Sequence, residues 1–342
     1  EAGAGFSAKY EMDESSASSE DKTAVTSKFK AGGDISSHSD EKTTLVGATF
    51  ESGGDTNIEA GSLDYQAAED SSTSSSSSNE VGVDGKISVY GSTGVKLDAE
   101  YEHGNESSES TTAKAGSINA GGNLNITTTG DATFVGTSLE AGNAATIDSG
   151  GNVDFQAAKS TTSSSEAKVG VSASLSATKS DKGVEGGVEG SYTVEDTSTA
   201  VVGGIKSGSG GTSITSGGNT RLEGTNLESS GTTAITAATV ELKAAENTST
   251  STKIGGSIDA MDHDEGPGLY QGGDAEGGGG ISANYSDKVT STTSNIDSAE
   301  GVQINATSII NQEAQLNSDN GTVVLNGQET KIDASQHDIS VG

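Results

Sequence analysis

The sequence predicts an all-β fold: a right-handed parallel β-helix of about 21 residues per coil, with β-hairpins extruded every two coils. Three observations carry this expectation. First, apolar residues recur at a spacing of 21, as in Ile118 and Leu139, Ile126 and Ile147, and Phe134 and Phe155. Second, a longer unit occurs three times, as "TLVGATFESGGDTNIEAGSLDYQAAE" (44–69), "TFVGTSLEAGNAATIDSGGNVDFQAAKSTTSSS" (133–165) and "RLEGTNLESSGTTAITAATVELKAAE" (221–246). Third, the 342 residues are only 30% hydrophobic and 4% aromatic, with 49 Gly and one Pro, too little apolar matter for an ordinary core of this size.

The order of the elements follows from aligning the three copies. Leu45, Phe134 and Leu222 correspond, as do Phe50, Leu139 and Leu227, then Ile58, Ile147 and Ile235, then Tyr65, Phe155 and Leu242. With Ile118, Ile126 and Ile214 they form the expected inward-facing core of the coils. Gly47, Gly136 and Gly224 also correspond, and Ala67-Ala68, Ala157-Ala158 and Ala244-Ala245 close each copy. Pairs such as Leu124/Ile126 and Val153/Phe155 alternate at i, i+2, the period of a strand, and turns such as "AGGN" and "SGGN" separate them. A narrow tube buries few side chains per coil, so a poor composition suffices, and backbone ladders between coils do much of the holding. A fully disordered chain of this composition and charge has no reason to keep such a spacing.

Residues 1–28 read as the return limb of an earlier hairpin, with Phe6, Ala8 and Tyr10 alternating. Coils follow over 29–70. A Ser/Thr tract and hairpin occupy 71–114, with Val81, Val83, Ile87 and Val89 going out, Gly91-Ser92 at the bend, and Val95, Leu97, Ala99 and Tyr101 returning. Coils resume over 115–160, a second hairpin covers 161–207, coils cover 208–246, and a third hairpin covers 247–297. Successive hairpins, two coils apart, are placed to pair along one side of the rod. Over 298–342 the apolar residues Val302, Ile309, Leu316 and Val323 fall seven apart, as do Ile332 and Ile339, which predicts plain three-sided coils. Seven or eight coils at about 4.8 Å each make a rod on the order of 35–40 Å.

Charge and chemistry narrow the function. Fifty acidic residues against eighteen basic ones leave a net charge of −32, which opposes nucleic acid and anionic membranes as partners. There is no Cys, so disulfides and thiolate metal sites are excluded. The four histidines, His38, His103, His263 and His337, stand at non-corresponding positions and in no metal-ligand spacing. "MDHDEGPG" (261–268) brings Asp262, Asp264 and Glu265 near a glycine, like the start of a calcium loop, but lacks the later ligands. Parallel β-helices also host carbohydrate-active enzymes, yet the single arginine, Arg221, sits at a repeat position, and no Trp platform for a sugar exists. "GGGG" at 277–280 has no Lys-Ser/Thr after it and reads as a hairpin limb. No catalytic residue, cofactor or metal is expected, and the chain is not expected to be an enzyme.

The set formed by Val-Gly, Ala-Gly-Gly-Asn, Gln-Ala-Ala and the Ser/Thr tract, followed by "VGVSASLSA" (169–177), resembles the second repeat class of filamentous haemagglutinins, over roughly residues 29–300. These are exoproteins of two-partner secretion, among them contact-dependent growth inhibition effectors. The third copy departs from the pattern, with Lys243 in place of the Gln and no Gly-Gly before Val240. The resemblance implies a shaft segment of a surface filament on a Gram-negative bacterium, secreted or held at the outer membrane through other regions. It also implies an outer-membrane transporter as partner during secretion. A passive stalk and an adhesive surface for a receptor, glycan or sister filament are the two readings left open, with lateral contacts between filaments among the expected partners. The chain opens in mid-pattern and reads as a piece of something longer.

Overall fold

A computed structural model describes residues 4–89, 94–178, 182–264 and 274–333; among these there are strands and turns but no helix. One face of the rod is a parallel sheet of eight short strands: Lys28–Ala31, Thr49–Ser52, Ser117–Ala120, Ser138–Ala141, Gly204–Ser207, Asn226–Ser229, Ser294–Ser298 and Ala314–Ser318. Each is one coil. The other two faces belong to a single sheet of twelve strands, because Ile35–Val46, Thr56–Gln66, Thr232–Lys243 and Gly301–Gln312 run through the corner between them without a break.

This continuity makes the rod three-faced but two-sheeted. Thr56–Gln66 and Thr232–Lys243 each pair along both halves of their length. Through them, eight parallel strands close into a ring that includes Leu124–Thr128, Ala144–Ser149, Gly211–Ser216, Asn219–Glu223, Val153–Gln156 and Ala132–Val135.

Like residues stack on like in columns. Ile58, Ile126, Ile147, Ile214, Ile235 and Ile304 are paired in register and all buried. A second column runs Leu45, Tyr65, Phe134, Phe155, Leu222 and Leu242. The rings of Phe134 and Phe155 stack at 4.4 Å between centroids with planes 13° apart. The third column runs Phe29, Phe50, Ile118, Leu139, Ile205, Leu227 and Ile296. Of the core residues read from the repeats, Leu45 alone is half-buried; it lies in the first coil and is covered on one side only. Leu63, Leu124, Val153 and Val240 are buried in the same core. In the last coils Val302 and Ile309 are buried, Leu316 is half-buried, Val323 and Ile332 are exposed, and Ile339 lies outside the described residues.

Beside the rod stands an antiparallel sheet of seven long strands in chain order: Ala4–Lys22, Ala68–Val89, Gly94–Lys114, Ala158–Thr178, Lys182–Val201, Ala245–Asp264 and Asp274–Thr292. The Ser/Thr tracts are strand throughout, so each insertion is one hairpin from its root to the last described residue of each limb; the bend at Gly91-Ser92 lies outside the described residues. Ser has little strand propensity of its own; here pairing on both sides holds it extended. Hydroxyls face hydroxyls across the ladder, as in Ser16–Ser77 and Ser18–Ser75 at 2.9 Å and Thr111–Thr161 at 2.7 Å.

Rod and blade grow at one pitch. A long unit adds two coils to the rod and two strands to the blade, and both steps are strand spacings of about 4.8 Å, about 10 Å in all. One hairpin per two coils therefore keeps every hairpin within pairing distance of the next.

Candidate functional site

The junction where blade joins rod is tightly constrained. Gly47, Gly136 and Gly224 each follow the last strand of an odd-numbered coil, with φ of 57°, 58° and 58°. A Cβ on any of them would lie 2.6 Å from the Cβ of Ala68, Ala158 or Ala245, the residue with which the next coil leaves for the blade. The repeated Gly and the repeated second Ala are thus two halves of one contact between adjacent coils. Tyr65 is buried beside it; its hydroxyl donates to the Ala48 carbonyl at 2.5 Å, and burial pushes its pKa up. Gly116 leaves room for that ring, since a Cβ there would come within 2.4 Å of it.

The blade has two unlike faces, because residues paired across strands share a face and neighbours in sequence do not. One face carries Tyr10, Val83, Ala99, Ala173 and Ala260 in one row, and Met12, Val81, Tyr101, Val171, Val188 and Ile258 in the next. Phe6, Ile87 and Val95 form a row nearer the hairpin ends. Most of these side chains are exposed, Phe6 and Ile258 by 69% each. The opposite face carries Glu11, Asp13, Glu80, Glu100, Glu102, Glu185, Glu189 and Asp259 around a floor that includes Gly170, Ser172, Ser174 and Gly187. Those floor residues, with Asp98, Glu100, Glu185 and Asp259, line shallow hollows on this face, one of about 880 Å³.

Carboxylates crowd on that acidic face. Oxygens of Glu11, Asp13 and Glu80 lie within 4.8 Å of one another, and the charge of Asp13 above all raises the Glu80 pKa. Among the described residues this is the one acidic group close enough to share a cation. It is absent from the sequence reading, because its members come from two strands more than sixty residues apart and meet only through register.

The residues singled out earlier are dispersed. His38 lies on the rod's outside with Glu59 at 3.0 Å and Asp40 at 3.3 Å, and hydrogen bonding to Glu59 raises its pKa. His103 lies on the blade, its Nδ1 2.7 Å from Asn79 Oδ1 and its Nε2 2.9 Å from Asn105 Nδ2. His263 belongs to the Ala245–Asp264 strand, and His337 lies outside the described residues. Asp262 and Asp264 stand two apart on one strand near the hairpin end, while Glu265 lies outside the described residues. Arg221 is held on the rod by Asp154 of the adjacent coil at 3.7 Å and by Glu223 of its own strand. Gly277–Gly280 run within the last blade strand, opposite Ala260 to Ser257.

The sequence model of the family described as "Hemagglutinin repeat" matches residues 7–159 and 98–258, which together span about three quarters of the chain. No curated protein matches. No solved structure matches either.

Proposed function

Because the chain belongs to the Hemagglutinin repeat family, we propose that it is a shaft segment of a secreted bacterial surface filament, which projects binding or toxin domains from the cell and catalyses nothing itself. The observation that carries this reading is the shared pitch of rod and blade: a structure that gains both in equal steps can be extended indefinitely without changing its cross-section. Its coils wind right-handed, the hand that parallel crossover connections overwhelmingly take. The segment leaves the producing Gram-negative cell through an outer-membrane transporter, a route that a cysteine-free chain of shallow core suits, and stays at the surface through regions outside it. Contact-dependent inhibition effectors and adhesins are the two kinds of filament it would serve.

A second reading, an adhesive surface for a receptor or glycan, draws on the exposed apolar face of the blade. Two deletions in the full-length protein on producing cells separate the readings. Removing 138–225 shortens the rod by one unit, and a shaft predicts partial loss of target-cell contact. Removing the hairpin 245–292 leaves every coil in place, and a shaft predicts contact near the wild-type level. Complete loss of target binding on removing the hairpin, with surface display intact, would sink the shaft reading in favour of the adhesive one.

A further inference from the structure

The blade's apolar face is built across all seven strands and covered by none of the described residues. We propose that its occupant is a second copy of the same face, so that two chains associate through their blades as a two-layered β-sandwich. The inference goes beyond the shaft reading, since it needs only the blade and no cargo at either end.

Area argues for this first. Six strand spacings of about 4.8 Å by the three two-residue steps of about 6.8 Å from Phe6 to Met12 make a face of about 600 Å². Two such faces together remove about 1,200 Å² from water, the lower end of the range for stable, specific interfaces of about 1,200–2,000 Å². A single exposed patch of that size stands at the top of the range of about 300–600 Å² found for the largest patch of a lone soluble chain.

Charge argues for it second. The rows of Tyr10 and Met12 are apolar or glycine across all seven strands, and the row of Ala8 is so as far as Val184, where Asp262 follows. Charged side chains stand at the margins of this face, Glu14 and then Glu20, Glu109, Asp196 and Asp287 toward the root, and Lys182, Asp262 and Asp264 near the hairpin ends. Facing copies would therefore turn their acidic faces, with Glu80, Glu100, Glu102 and Glu189, outward to water. An anionic lipid surface would instead meet the field of a chain with net charge −32. Twist is no obstacle, because sheets of the same hand pack face to face at about −30° with side chains interdigitating.

The test is the mass of the 342-residue chain by sedimentation equilibrium, from 1 to 100 µM on the order expected for such an area, at low and moderate salt. The expected result is a dimer that tightens as salt screens the net charge. Val171→Glu, at the centre of the face, should abolish it, whereas Ser172→Glu, on the other face of the same strand, should not. Far-UV dichroism checks that both variants keep their β-structure. Because the chain has no Cys, Ala173→Cys should form an intermolecular disulfide under mild oxidation, and Ser174→Cys should not. A wild-type monomer throughout, or a dimer that survives Val171→Glu and so uses the blade's open edges, overturns the proposal. Flotation of the monomer with phosphatidylcholine vesicles would overturn it as well, since lipid would then be the occupant.

Discussion

The junction glycines are conformational and steric requirements at once. An L-residue in the left-handed region costs about 1–2 kcal/mol, and a methyl forced against a buried neighbour costs about 1–3 kcal/mol more. Gly136→Ala, with φ of 58° and Ala158 Cβ 2.6 Å from the new methyl, should therefore destabilise the chain by about 2–5 kcal/mol. Glu313 occupies the equivalent corner after Gly301–Gln312, also with φ of 58°, and is the one non-Gly residue with positive φ among the described residues. Glu313→Gly should raise stability by about 1 kcal/mol. Chemical denaturation of the two variants checks both signs, and a neutral Gly136→Ala would sink the contact. The glycine's recurrence is legible in the sequence. The recurrence of the Ala is legible too, but its contact with the glycine is not, because the two residues are 21 or more apart and touch only once the coils are stacked.

Rod and blade were legible to different degrees. Coils announce themselves because a column demands the same kind of side chain at each strand spacing, so Ile58, Ile126 and Ile147 recur while the residues between them vary. The rest of the core was harder to see: Leu63, Val153 and Val240 recur but share their column with Ala132 and Thr220, and Ile205 is parted from Leu139 by an insertion that interrupts the count. The Ser/Thr tracts carry no strand signal, since their order comes from neighbours supplied by other hairpins. The contrast between the elements is measurable. Ile147→Asp places an unpaired charge in a column where the side chain is 1% exposed, and should cost more than about 4 kcal/mol. Ser176→Asp, on an exposed blade position opposite Lys96, should change stability by less than about 0.5 kcal/mol. Equal losses from the two would mean that blade and rod are not the separate layers described.

For the whole molecule the decisive quantity is the common pitch. Deleting 138–225 joins Thr137 to Asn226, and Thr137 and Thr225 are equivalent residues that each follow a junction glycine. The shortened chain should fold with the same β-signal and a melting temperature within a few degrees, because a stacked array is stabilised by neighbours and not by length. X-ray scattering should find the rod shorter by about 10 Å, two strand spacings. An aggregated or unfolded product would mean that the long unit is not a self-contained module.

That equality of step has a genetic consequence. Misaligned exchange between any two copies in the coding sequence removes or inserts a whole number of units, and every product meets its neighbours in register in both layers. Copy number is then free to drift under selection for reach alone, with no other residue obliged to change.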